Sequence, residues 1–199
     1  MQQAIDKYIS EHSLGAFRPK AVLFDMDGVL YNSMPNHAVA WQKSMEQFDI
    51  HMTADDAYAT EGARGVDTIK KMVKAQQHRD IGEEEAQRMY DVKTSIFHEM
   101  PVAQIFDGVK ELMQKIKDCG MKIGVVTGSG QRPLIARLIN DFGDFITEER
   151  IVTAYDVKNG KPAPDPYLMG MQKVGTTPCE TIVVENAPLG VKAGVAAGS

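Results

Sequence analysis

Residues 20–30 read KAVLFDMDGVL. Ala21, Val22, Leu23 and Phe24 form a short continuous apolar run, the pattern of a strand buried on both faces of a parallel sheet. The run stops at two carboxylates, Asp25 and Asp27, with Gly28 directly behind them. Burying two carboxylates at the end of a core strand is costly unless something pairs with them. Open α/β sheets bind their ligands beyond the carboxyl ends of the strands, so a polar break there marks a candidate site. Asp and Gly are also common turn residues, and this stretch alone is compatible with a plain strand end.

Before this stretch, about Ala4 to Glu11 fits a short amphipathic helix ended by Ser13–Gly15. Residues 1–15 are read as an N-terminal appendage without chemistry. After it, residues 33–103 change to helix upon helix. His37, Trp41, Ser44 and Phe48 recur at helical spacing, as do Ile69, Met72 and Val73. Asp55 and Asp56 fall near a helix start, Glu83, Glu84 and Glu85 load a first turn, and Pro101 closes the region. Some seventy residues far exceed what a crossover between parallel strands needs, so this is an inserted helical unit.

The α/β rhythm resumes at Ile105. Residues 108–120 read as a helix with Val109, Leu112, Met113 and Ile116 on one face, stopped by Gly120. MKIGVVTGSG is a second core strand ending in Thr127, Gly128, Ser129 and Gly130, followed by a helix over 131–141. IVTAYDV, residues 151–157, reads as a third strand. KPAPDPY then opens a helix from Lys161, and TIVVENAPLG gives a fourth strand ending in Glu185 and Asn186. Three strands thus end in polar groups, and Lys161 lies just beyond the remaining one. The fold class is α/β, a Rossmann-like parallel core over residues 16–32 and 104–199, with an all-helical unit over 33–103.

These motifs, in this order, resemble the haloacid dehalogenase superfamily of phosphatases and phosphomutases. The resemblance implies that Asp25 is the nucleophile that carries the phosphoryl group, and that Asp27 is the general acid and base. A carboxyl there can protonate the leaving oxygen if a nearby like charge or desolvation raises it. Thr127 matches the second motif, a hydroxyl on a phosphate oxygen, with Gly128 and Ser129 adjoining it. Lys161 matches the third, a point charge on the transferring phosphate. Glu185 and Asn186 match the fourth and, with Asp25 and the Asp27 carbonyl, would hold Mg²⁺. Asn stands where Asp is usual, so metal affinity is expected to fall and Glu185 to matter more. Taken alone, VVTGSG also reads as a Gly-rich turn.

The helical unit is similar to the cap of the superfamily, a lid that excludes water and adds substrate contacts. YNSMPNHAVAW resembles the corresponding part of β-phosphoglucomutases, which implies substrate-side roles for His37 and Trp41, with Lys93 contacting substrate and Arg64 gripping a distal phosphate. The expected activity is therefore Mg²⁺-dependent phosphoryl transfer on a sugar phosphate, first of all a β-phosphoglucomutase-like one. A sugar-phosphate phosphatase and a non-catalytic phosphosugar-binding module are the alternatives. In this superfamily the sheet continues after the fourth motif, whereas here the sequence stops at GVKAGVAAGS, so the C-terminal end of the core is expected to be truncated, with sheet edge and apolar surface uncovered.

The chain has 199 residues, 43% hydrophobic and 25% charged, with a formal net charge of -5. That balance argues against nucleic acid or an anionic membrane as partner. No apolar stretch has the length of a membrane span, and the amino terminus lacks a signal-peptide pattern. Cys119 and Cys179 lie far apart with no metal or redox spacing. A cytoplasmic monomer acting on a phosphorylated sugar is the expectation.

Overall fold

The computed structural model describes residues 2–11 and 18–199. Helix α1 spans Gln2–Glu11, while the expected stop at 13–15 lies outside the described residues. The core is a four-stranded parallel sheet of β1 (Ala21–Phe24), β2 (Lys122–Val126), β3 (Ile151–Val152) and β4 (Thr181–Val184), in the order β3-β2-β1-β4. Every residue of β1 is buried, as a central strand covered on both faces must be. Its side chains alternate between two cores. Val22 and Phe24 pack with Met113, Ile116, Leu138 and Phe142 of α6 (Val109–Asp118) and α7 (Arg132–Phe142). Ala21 and Leu23 pack with Tyr167, Met171, Val174 and Ala193 of α8 (Asp165–Val174) and α9 (Pro188–Ala196).

Between β1 and β2 the chain forms α2 (Met34–Glu46), α3 (Ala54–Ala59), α4 (Gly65–Gln77) and α5 (Glu83–His98). These helices enclose an apolar cluster of their own, with Trp41, Met45, Ile69, Val73 and Met89 at its centre. Thr53 and Asp56 form a reciprocal cap that starts α3. The two chain crossings between cap and core are tied together by the Asn32 N–H to the Gln104 carbonyl, 2.8 Å, and the Asn36 side chain to the Pro101 carbonyl, 2.7 Å.

Two details depart from the sequence expectations. β3 ends at Val152 rather than at Val157, because the Asp156 carboxylate accepts from both the N–H and the hydroxyl of Thr153, each at 2.7 Å. That local turn takes the backbone away from the sheet. Leu112 sits at the margin of the apolar stripe of α6 and is 46% exposed, whereas Met113 and Ile116 are buried. No helix among the described residues is long and apolar enough to cross a membrane.

Candidate active site

Strand register brings the polar residues together. Phe24 pairs with Val125 on one side and Val184 on the other, so Asp25 leaves β1 level with Glu185 leaving β4. The Asp25 N–H donates to the Val184 carbonyl at 3.0 Å, and the Thr127 N–H to the Val152 carbonyl at 2.9 Å, which holds both residues at the sheet edge. Lys161 arrives from the loop before α8 and is 3% exposed. Its Nζ donates to Asp25 Oδ1 at 2.6 Å, Glu185 Oε1 at 2.5 Å and the Val126 carbonyl at 3.0 Å. Three acceptors use all three donors of an ammonium. Tyr167, fully buried, donates to Glu185 Oε1 at 2.5 Å, and Glu185 Oε2 faces the N–H groups of Asn186 and Ala187, both at 3.2 Å.

Burial pushes the Asp25 carboxyl up to about 7 against the attraction of Lys161. The lysine is itself held above its ordinary value, since Asp25 and Glu185 outweigh the effect of its burial. One ammonium shared by two carboxylates leaves Asp25 short of a full counter-charge. Its Oδ2 is buried with no hydrogen-bond partner. An orphaned carboxylate oxygen on a residue that lines the cavity suits a hard divalent cation. The further oxygens available to such an ion are the main-chain carbonyl of Asp27 and the Asn186 amide, which lies over Gly28. A Cβ at Gly28, whose φ is +81°, would stand 2.2 Å from the Asn186 amide nitrogen. Glu185 differs from its expected place in this set, because both its oxygens already accept hydrogen bonds within the protein.

Asp27 turns toward the cap. Ser33 donates to its Oδ1 at 2.6 Å, and His37 Nε2 lies 3.1 Å from the same oxygen, close enough for attraction but out of line for a hydrogen bond. Lys93, 2% exposed, reaches His37 Nδ1 at 2.7 Å and sits over the rings of Phe97, Trp41 and Tyr90 at 4.9, 5.2 and 5.8 Å. A protonated Lys93 donating to Nδ1 leaves the imidazole proton on Nε2, facing Asp27. Burial and Lys93 keep His37 below its ordinary value despite Asp27, so the ring is neutral near pH 7. Burial works against ionisation of Asp27, yet His37, Ser33 and Lys93 overcome it and hold the carboxyl at about 2. In the free site the Ser33 hydrogen bond and the attraction of His37 and Lys93 therefore outweigh the desolvation that would raise Asp27.

Asp25, Asp27, His37, Trp41, Lys93, Thr127, Gly128 and Ser129 all line one cavity between sheet edge and cap. Arg64 does not. Its guanidinium donates to Asp67 at 3.0 Å, Glu83 at 3.3 Å and the Lys158 carbonyl at 3.2 Å, in a neighbouring groove. Glu61, which sequence pattern does not single out, takes a place in the cavity instead. Burial, then Asp27 and Asp25, push its carboxyl well above the ordinary range, with Lys93 and Lys161 pulling the other way. Ser33 and Tyr167 also carry no signal in the sequence, since a serine after a turn and a tyrosine in a helix are commonplace.

Residues 22–199 match the haloacid dehalogenase-like hydrolase family. The chain is 32% identical to hexitol phosphatase A of Escherichia coli over 181 residues, 91% of this chain and 81% of that protein. It is 25% identical to the β-phosphoglucomutase of Bacillus subtilis over 190 residues, 90% of this chain and 80% of the relative. A solved structure from Bacteroides vulgatus, provisionally named a β-phosphoglucomutase, is 45% identical and superposes with a TM-score of 0.91, over 98% of this chain and 79% of that one. With the family spanning all four strands and the carboxylates beyond them, the chain belongs to the haloacid dehalogenase-like hydrolases.

Proposed function

We propose that this protein is a Mg²⁺-dependent sugar-phosphate phosphatase working through an aspartyl phosphate on Asp25. The observation that carries the reading is the buried Asp25 at the sheet edge, paired by Lys161 on one oxygen and open on the other. A carboxylate oxygen of Asp25 attacks phosphorus as the bond to the sugar oxygen breaks, and that oxygen takes a proton from Asp27. An incoming phosphate dianion beside Asp27 raises its carboxyl from the low value of the free site, so that it can carry the proton. Water then attacks the acyl phosphate, Asp27 takes the proton back, and inorganic phosphate leaves. Lys161, the Thr127 hydroxyl and the backbone around Gly128 and Ser129 hold the phosphate oxygens. Asp25, the Asp27 carbonyl and Asn186 would hold Mg²⁺, which when bound would supply charge neutralisation for the phosphate.

The choice of water as acceptor rests on Arg64. A mutase must hold a bisphosphate in both directions and needs cationic grip on the distal phosphate. Here Arg64 is engaged by Asp67 and Glu83 outside the cavity, leaving Lys93 as the cap cation within it among the described residues. A second reading, transfer between two hydroxyls of one sugar, is favoured by the His37–Lys93 chain, which reaches from the cap to Asp27. Phosphorus NMR of the protein with Mg²⁺ and β-glucose 1-phosphate, with and without glucose 1,6-bisphosphate, separates them. Inorganic phosphate growing in, and absent with Asp25→Asn, is the expected result. Glucose 6-phosphate without phosphate release would establish the mutase instead. A folded protein inert toward a panel of sugar and polyol phosphates would point to a binding module.

A further inference from the structure

The Lys161 ammonium has all three of its donors in use, on Asp25 Oδ1, Glu185 Oε1 and the Val126 carbonyl, yet the reaction needs it on a phosphate oxygen. One bond has to be exchanged when phosphate arrives. Of the two carboxylates, only Glu185 keeps another donor on the same oxygen, the Tyr167 hydroxyl at 2.5 Å. Asp25 Oδ1 has no second donor among the described residues, and its Oδ2 has none. The rest of Glu185 is fixed independently of the lysine. Its Oε2 faces the N–H groups of Asn186 and Ala187, both at 3.2 Å. Its carboxylate also lies against the backbone of α9, where a Cβ on Gly190 would stand 1.9 Å from Oε1. Tyr167 is fully buried, its ring centre 5.1 Å from Lys161 Nζ, and a phenol is protonated at neutral pH. The hydroxyl is therefore a donor that stays on Glu185 whichever way the lysine turns.

We infer that Tyr167 is a positioning residue: it holds Glu185 Oε1 when Lys161 leaves that oxygen for the phosphate, so that the lysine changes partners without stranding a buried carboxylate. The inference rests on the reading of Lys161 as a residue that holds the phosphate. A buried carboxylate oxygen left without a donor bears the full desolvation penalty of a charged group, and that penalty would weaken phosphate binding. With Tyr167 in place, Lys161 keeps Asp25, and Glu185 keeps three donors, the hydroxyl and two N–H groups. Tyr167 does not touch the reacting atoms; it acts through Glu185.

The test measures binding of inorganic phosphate by calorimetry, with Mg²⁺ present, to the wild type, Tyr167→Phe, Glu185→Gln and the double variant. Each protein is first checked for a cooperative thermal transition. Tyr167→Phe keeps the buried ring and removes only the hydroxyl. It should weaken phosphate binding by about tenfold. KM for glucose 6-phosphate should rise by a similar factor with kcat within about twofold, because the exchange is complete once phosphate is bound. In the Glu185→Gln background, where a neutral amide costs little to uncover, the same change at Tyr167 should cost less than about twofold. A lower melting midpoint with unchanged phosphate affinity would make Tyr167 a packing residue and overturn the inference, and so would an equal loss of affinity in both backgrounds. A Tyr167→Phe protein that loses kcat rather than KM would overturn it as well, whether or not the Glu185 variants fold. Phosphate binding by the wild type without release from any sugar phosphate would overturn the phosphatase and leave Tyr167 to the binding comparison. A wild type that binds no phosphate would overturn both.

Discussion

Lys93 is a residue whose surroundings oppose its charge. Burial among Trp41, Tyr90 and Phe97 pushes its ammonium down to about 8, with Asp27 and Glu61 resisting. The fall from 10.5 corresponds to about 3 kcal/mol. Between about pH 8 and 10.5 the unfolded chain binds the proton that the folded chain has released, so stability rises with pH across that window. Below about 8 both states are protonated and the full penalty is present. Lys93→Met removes the penalty but leaves His37 Nδ1 without its partner, a loss of about 1 kcal/mol. Calorimetry at pH 7 should therefore place the melting midpoint of the variant several degrees above the wild type, about 4 °C. The gap should narrow as pH approaches 10. A variant less stable at pH 7 would mean that the rings and His37 repay the burial of the charge. Activity should move the opposite way: for the wild type, KM should rise as pH passes about 8 and the cavity loses its cap cation, and the variant should lack that rise.

At the level of elements, the contact between the α3–α4 loop and the turn after β2 decides how closely the cap approaches the phosphate site. Gly128 faces the Gly62 and Ala63 carbonyls, which a Cβ would meet at 2.9 and 3.4 Å. These are backbone atoms and cannot rotate aside. Gly128→Ala should lift the loop by a few tenths of an ångström and carry Glu61 with it. Catalysis is expected to fall on the order of tenfold, while the melting midpoint stays within about 2 °C, since the loop is not part of either core. A large drop in stability with unchanged kcat/KM would contradict this division. The same contrast explains what could be read from the chain beforehand. β1 and β2 are legible because an apolar run ending in Asp25, or in Thr127, has few other homes. β3 reads longer in the sequence than it is, because Thr153 and Asp156 close a side-chain turn that periodicity does not register. Arg64 and Glu61 sit three residues apart on one loop, and only the path of its backbone decides which of them enters the cavity.

On the scale of the whole molecule, cap and core are closed on each other. The free space in the catalytic cavity is about 40 Å³. That accommodates a few water molecules, whereas small-molecule sites are roughly 300–1,000 Å³. On the proposed function, a sugar phosphate needs the helices of residues 33–103 to swing away from the sheet edge, and the two chain crossings near 32 and 104 are where the chain allows it. Arg64 is the side chain placed to bias that motion, because it belongs to the cap through Asp67 and Glu83 and to the core through the Lys158 carbonyl. It also packs where a Cβ on Gly160 would stand, 2.7 Å from its Cγ. The bond that crosses to the core is the one from Arg64 to the Lys158 carbonyl, exposed and worth about 1 kcal/mol, a shift of about fivefold in the open population. Arg64→Ala should speed hydrogen exchange at residues 60–64 and 158–160 together by that factor, although the two segments lie far apart in the chain. Amides of β1 and β2 should not change, since they open only with the core. With closure less populated, kcat/KM for sugar phosphates should fall severalfold, and saturating Mg²⁺ with a phosphate analogue should restore protection to both segments. Faster exchange at 60–64 alone would make Arg64 a cap residue with no hold on the core, and closure would then rest on the loop contact at Gly128.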